Sequence, residues 1–229
     1  MTLNRILNWD GCNNVRDLGG FNAANGHKTR WGAIVRGDHP AKLTADGWSA
    51  LYEHGIRTII SLHTYGLDET DYLALVPQRS DIETVKVAIE DFTDSVFIEK
   101  WVNTDLWCTP LYYHDALTRW SQRHAEALKA IAQAKPGGVL FHCKRGYDRT
   151  GIIAFLVLAL AGVSPEDIFA DYVLSVDSYR EELLAQRNTT TREVIFSTLA
   201  SLDVEDVLRE GGLSQVDLEA FRNRFLEPE

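Results

Sequence analysis

The sequence predicts an α/β fold with a mostly parallel central sheet flanked by helices, followed by a helical C-terminal third. Three observations predict it. Short β-prone runs at Ile56–Leu62, Glu83–Ile89 and Val139–Phe141 alternate with helical patterns, the arrangement of parallel strands joined by crossovers. Beyond Gly162 only helix signals follow. Between the apolar Val139–Phe141 and the apolar Ile152–Ala161 lies HCKRGYDRTG, His142–Gly151, where a ligand loop sits at the carboxyl end of a strand.

The elements follow in order. The first forty residues are rich in Gly and Asn and read as two or three short strands separated by turns. Thr44 is placed to cap a helix from Ala45 to His54, which Gly55 ends, and Ile56–Leu62 is a buried strand. A short helix is expected around Asp68–Leu75, with Pro77 as breaker. Next comes a strand at Glu83–Ile89, whose Val85, Val87 and Ile89 share one face and which Glu90 and Asp91 close. Residues 92–110 show weak periodicity. Thr109 and Pro110 introduce a long helix, Leu111–Ala134, stopped by Pro136, Gly137 and Gly138. Ser164, Pro165 and Asp167 form a helix-start signature, and further helices are expected at Ser178–Gln186, Thr191–Leu202, Val204–Glu210 and, capped by Ser214, Gln215–Leu226. No repeat or interdomain linker is evident. The 229 residues are therefore expected to form one domain: strands and loops over 1–43, an α/β core over 44–176 and C-terminal helices over 177–229.

A net charge of −10 argues against broad binding to nucleic acid or an anionic membrane. Three widely spaced cysteines, without CxxC pairs, fit a reducing cytoplasm better than a disulfide framework. The longest apolar run, Ile152–Val163, is shorter than the roughly 20 residues that span a bilayer, so no stable membrane insertion is expected. The histidines lack metal-ligand spacing, and neither a metal nor another cofactor is expected.

The chemistry concentrates in His142–Gly151. A thiol at a helix start meets unpaired backbone N–H groups and the positive end of the helix dipole, which favour a thiolate, so Cys143 is the candidate nucleophile. The same N–H groups form an anion nest, for which Gly146 permits the tight curvature. Arg149 can bind two oxygens of a phosphate bidentately. Thr150 is expected to donate its hydroxyl to the sulfur, and His142 to order the loop rather than act as an acid. A leaving oxygen needs a proton, and two carboxyls are candidates: Asp148 in the loop and Asp91 at a strand end. Their alternative roles are to pair with a base that braces the loop and to cap a turn, respectively. Lys144 and Arg145 either supply local positive charge or form rim salt bridges, and Tyr147 either contacts substrate or packs as a wall. Arg16 and Asp17 are expected to form a buried pair bracing the Gly19–Gly20 turn.

With His142, Cys143, Gly146, Arg149, Thr150 and Gly151 in place, the loop resembles that of the cysteine-dependent protein tyrosine phosphatase superfamily. Asn14, Val15, Arg16, Asp17, Leu18, Gly19 and Gly20, with Val35–Gly37 and the Gly55–Leu62 strand entry, resemble its bacterial tyrosine phosphatase-like, or lipid-phosphatase-like, branch. The resemblance spans most of residues 9–180. It implies a phosphotyrosine protein phosphatase-like fold and phosphomonoester hydrolysis through phosphocysteine without a cofactor. The implied substrates are phosphorylated proteins, with possible dual specificity, or phosphoinositides. Tyr147 stands where the branch usually has lysine, and an aromatic before Asp-Arg resembles the myotubularin-type inositide phosphatases. No Trp-Pro-Asp tripeptide is present, which sets the chain apart from the long phosphotyrosine-specific enzymes. Two other classes remain to be weighed, a phosphate-binding module without turnover and a rhodanese-type sulfurtransferase.

Overall fold

The computed structural model describes residues 4–67 and 81–228. The expected helix at Asp68–Leu75 lies outside the described residues. Five strands form one sheet: β1 (Arg16–Asp17), β2 (Ile34–Gly37), β3 (Ile56–Tyr65), β4 (Glu83–Asp91) and β5 (Gly138–His142). Their order is β1-β2-β5-β3-β4, with β1 antiparallel to β2 and every other pair parallel. The predicted mostly parallel α/β architecture is thus the observed one, with β5 at its centre.

Alternation along β5 explains the two cores. Val139 and Phe141 face the larger one, built with the helices, and Leu140 faces the smaller one with Trp9, Val15, Val35 and Leu51. Covering the smaller core is α1 (Ala45–Glu53), whose cap is Thr44 accepting from the Gly47 amide. The larger core centres on α5 (Asp148–Leu160), which is buried nearly all round, as expected of a helix apolar on every side.

Three boundaries depart from the sequence expectation. β4 runs through Glu90 and Asp91 rather than stopping before them. Residues 95–112 form a chain of short turns: α2 (Ser95–Phe97), a π turn over Ile98–Val102 and 3-10 turns at Leu106–Cys108 and Pro110–Tyr112. The single long helix is instead two, α3 (Tyr113–Arg119) and α4 (Ser121–Gln133), broken at Trp120 with φ −122° and ψ 39°. Its indole packs on the Phe97 ring at 4.4 Å, a tertiary contact that helical spacing does not disclose.

The C-terminal third comprises α6 (Pro165–Val173), α7 (Ser178–Ala185), α8 (Thr191–Ser201), α9 (Val204–Glu210) and α10 (Gln215–Phe225). Ser164 and Ser214 cap α6 and α10 as expected. These helices are woven into the rest. Arg224 of α10 donates to the carbonyls of Ala134, Lys135 and Gly137, and the Glu227 amide donates to the Lys28 carbonyl. Among the described residues no helix is long and apolar enough to cross a membrane.

Buried His124 in α4 donates Nδ1–H to the Trp120 carbonyl at 2.9 Å, and its Nε2 has no hydrogen-bond partner among the described residues. Burial pushes its pKa down to about 4. The unfolded chain therefore binds a proton that the folded chain refuses between pH 6.5 and 4, and stability falls as pH drops through that window. His124→Asn, whose amide can serve the same carbonyl, should flatten the wild-type slope of urea unfolding against pH. The expected change is up to about 1.4 kcal/mol per pH unit there.

Candidate active site

The site is the turn from β5 into α5. Gly146 has φ +73°, and a Cβ there would lie 2.7 Å from the Gly37 carbonyl carbon, so glycine is required on both counts. Gly151 lets the Tyr113 hydroxyl approach where a Cβ would lie 2.4 Å from it. That hydroxyl donates to the Asp148 carbonyl at 3.2 Å. Cys143 is nearly covered, at 5% exposure, at the end of the central strand.

A buried ion network holds the turn from behind. Asp171 of α6 accepts from Arg16 Nε at 2.8 Å and from Arg36 Nη1 at 2.5 Å. Arg36 Nη2 and Asn14 Nδ2 both donate to the Gly146 carbonyl at 2.9 Å. Arg16 also donates to the Asn14 side-chain carbonyl and to the Ser175 hydroxyl. Burial alone raises the Asp171 pKa, yet Arg36 and Arg16 together leave it below the usual carboxylate range. Burial and the neighbouring Arg36 push Arg16 down to about 10. The carboxylate is therefore the anion that makes two buried guanidiniums tolerable.

This corrects the expected Arg16–Asp17 pair. Successive strand residues point to opposite faces, so the two cannot meet. Asp17 does brace the Gly19 turn, but by accepting from the amides of Gly19 and Gly32 at 2.8 Å, and it meets His54 Nε2 at 2.8 Å. Arg36 and Asp171 were missed as site residues. A charged residue between Val35 and Gly37 in a buried strand was the available signal, since such a side chain needs a buried partner.

His142 is fully buried and, as its Nδ1 partner is the Cys143 carbonyl at 3.1 Å, it donates from that nitrogen. Its ring meets His39 edge-on at 4.6 Å. Burial and then His39 push its pKa down to about 3, which keeps it neutral. Arg149 Nη1 donates to the Leu62 carbonyl of β3 at 3.3 Å. The Thr150 hydroxyl is directed to the Gly37 carbonyl at 3.5 Å and not, as expected, to the sulfur. β2 ends beside the start of α5, which brings the Gly37 carbonyl within reach of the hydroxyl. Lys144 and Arg145 are exposed, and neither side chain has an ion pair or hydrogen bond among the described residues. Among the described residues the rim salt bridges considered for them are not formed. Tyr147 is half-buried beneath the Arg180 guanidinium, 4.9 Å from its ring centroid.

The two candidate acids occupy different settings. Asp91 accepts from the Thr93 amide and hydroxyl at 2.9 and 2.6 Å and from Arg123 at 2.6 Å. Desolvation raises its pKa, but Thr93 and Arg123 outweigh it and leave the carboxyl below its ordinary value. Asp148 opens α5, next to Arg149 in sequence, and both its oxygens meet Arg180 Nη2, at 3.1 and 3.2 Å. Burial raises its pKa against the pull of Arg180 and Arg149, and the net shift is upward. A third carboxyl, Glu90, is fully buried among donors from Thr64, Trp107 and Tyr112. Burial raises its pKa, with Arg149 the main opposing influence. At sequence level Glu90 read only as the end of a strand. Among the described residues, no three His, Cys, Asp or Glu side chains come together in a group fit to hold a metal ion.

A Cys-x5-Arg turn thus lies at the carboxyl end of the central strand of a mostly parallel sheet. Residues 7–227 match the Tyrosine phosphatase family, and the chain belongs to it. It is 28% identical over 200 residues to a protein of Cupriavidus necator provisionally named a tyrosine-protein phosphatase, covering 86% of this chain and 70% of that one. It is 29% identical over 147 residues to a tyrosine-protein phosphatase of Nostoc commune, covering 62% of this chain and 48% of that one. Solved structures similar to it include the Siw14 catalytic core and P. aeruginosa TpbA. The first has TM-score 0.45 and 17% identity, covering 78% of this chain and 85% of that one. The second has TM-score 0.42 and 14% identity, covering 77% and 84%.

The ion network yields a stability prediction. Asp171→Asn leaves two arginines buried together and should cost about 3–5 kcal/mol in urea unfolding at pH 7. Because the folded pKa of Asp171 is depressed, its stabilisation is fully present above the unfolded value of about 3.9 and is lost as pH falls through the lower folded value. The gap between wild type and variant should therefore persist to pH 4 and close only below it.

Proposed function

We propose that the chain hydrolyses phosphotyrosine in proteins through a phosphocysteine on Cys143, as one phosphatase unit. The observation that carries the reading is the β5–α5 turn, where Cys143 and Arg149 sit on a backbone locked by Asn14, Arg36 and Asp171. In the first step the Cys143 sulfur attacks phosphorus, the bond to the leaving oxygen breaks, and Asp148 gives that oxygen its proton. In the second, water attacks phosphorus, the Asp148 carboxylate takes the water's proton, and phosphate leaves as the thiolate is restored. Arg149 and the backbone N–H groups of Lys144–Arg149 hold the equatorial oxygens in both steps.

The settings of the two carboxyls favour Asp148 as donor. Asp91 is held ionised by Thr93 and Arg123, whereas Asp148 is raised toward its protonated form beside Arg149. His142, neutral and committed to the Cys143 carbonyl, orders the loop. Retention of both Cys143 and Arg149 argues against a phosphate-binding module without turnover, and the Arg-Thr-Gly ending argues against sulfur transfer. A second reading, hydrolysis of phosphoinositides, rests on Lys144 and Arg145, two exposed cations beside the nucleophile of an acidic protein that have no ion-pair partner among the described residues.

Phosphate release should fall to background in Cys143→Ser with any substrate. In Asp148→Asn, turnover of phenyl phosphate should drop by about 10²-fold or more, while 4-nitrophenyl phosphate, whose phenolate leaves without a proton, should change far less. Asp91→Asn should leave the ratio of the two rates near the wild-type value. A collapse of that ratio in Asp91→Asn and not in Asp148→Asn would move the proton donor to β4. Faster turnover of a phosphoinositide than of phosphotyrosine peptides, lost in Lys144→Ala/Arg145→Ala, would select the second reading.

A further inference from the structure

We propose that Arg180, on α7, is the positioning residue of the proton-donating carboxyl: it fixes the orientation of Asp148 and sets the pH above which poor leaving groups cease to be expelled. This rests on Asp148 being the donor. The arginine lies 32 residues beyond Asp148, outside every motif that marks the site.

Geometry makes Arg180 a built fixture rather than a surface ion pair. Its side chain is 5% exposed, against 24% for Asp148. Nε donates to the Cys108 carbonyl at 2.5 Å, Nη1 to Asp177 at 2.6 Å and Nη2 to both oxygens of Asp148. The same guanidinium lies over the Tyr147 ring. One planar group thus ties the start of α7, the Leu106–Cys108 turn and the loop aspartate to one another, using three distinct nitrogens, which an ammonium cannot reproduce.

Charge singles it out as well. The groups facing Asp148 are Arg149 on its own helix, Tyr112 in the Pro110–Tyr112 turn, Tyr113 at the start of α3, Tyr172 on α6, Cys108 in its turn, and Arg180 on α7, which also carries Asp177, the cap of that helix. Burial raises the three tyrosines and the cysteine above their ordinary values, so they stay neutral through the working range. Three charges remain. Arg149 is committed to phosphate in the proposed reaction, and Asp177 is itself neutralised by Arg180. Arg180 is then the cation left to oppose the effect of burial on Asp148, letting the carboxylate form after it has given its proton away.

The test compares Arg180→Gln, Arg180→Lys and Asp148→Asn by kcat against pH on phenyl phosphate and 4-nitrophenyl phosphate. Removing the cation should raise the Asp148 pKa, so in Arg180→Gln the basic limb on phenyl phosphate should move up by about one pH unit. The plateau should fall about tenfold as the carboxyl loses its orientation, with 4-nitrophenyl phosphate much less affected. Arg180→Lys keeps the charge and should restore the limb but only part of the plateau. The double variant with Asp148→Asn should show no further leaving-group penalty.

If Asp148→Asn lacks leaving-group dependence, the donor assignment fails. If it has that dependence but Arg180→Gln leaves both limb and rate ratio at wild-type values, the role of Arg180 is overturned while the donor stands. Should Arg180→Gln not fold, Arg180→Lys decides: an unmoved limb with phenyl phosphate selectively slowed supports the proposal, and wild-type rates on both substrates refute it.

Discussion

Asp171 shared between Arg16 and Arg36 is the constraint on which the site depends. A guanidinium on an interior strand has no place among apolar side chains unless an anion meets it, and here α6 delivers that anion to Arg36 near the end of β2. Once neutralised, Arg36 has a second nitrogen left for the Gly146 carbonyl, and Asn14 reaches the same oxygen. A tight turn with a left-handed residue is thereby held by charge-assisted bonds from outside. The loop does not owe its shape to its own ten residues alone.

The same economy of charge separates the two aspartates. Asp91, at the edge strand, is surrounded by donors that favour its anion and behaves as a turn cap. Burial disfavours the anion of Asp148, and Arg180 with Arg149 tempers that pressure without cancelling it. Two carboxyls of the same chemical type come to differ through their neighbours rather than through their distance from any motif.

Much of this was legible in the sequence where cause and effect lie within a few residues. The caps at Thr44, Ser164 and Ser214, the buried strands beside apolar helices, and the strand–loop–helix setting of His142–Gly151 are all local signals. What escaped depends on partners far along the chain. Trp120 interrupts its helix because Phe97 receives the indole, and Arg180 gains its place only when α7 lies against the loop. The Arg16–Asp17 pair was a different error. Adjacent residues looked complementary, but once they fall in a strand the pleat sends them apart, and Arg16 finds its anion 155 residues away.

That separation has a consequence for synthesis on the ribosome. Asn14 meets Ser175 across 161 positions, and Arg36 meets Asp171 across 135. The cysteine loop emerges well before the helix that carries Asp171, so a growing chain displays the thiol and both arginines before the anion that organises them exists. Contacts of such span close late, after the local elements have formed. The reactive turn should therefore mature only when most of the protein has left the exit tunnel, and a chain stalled just past Gly162 would carry the whole motif without its geometry.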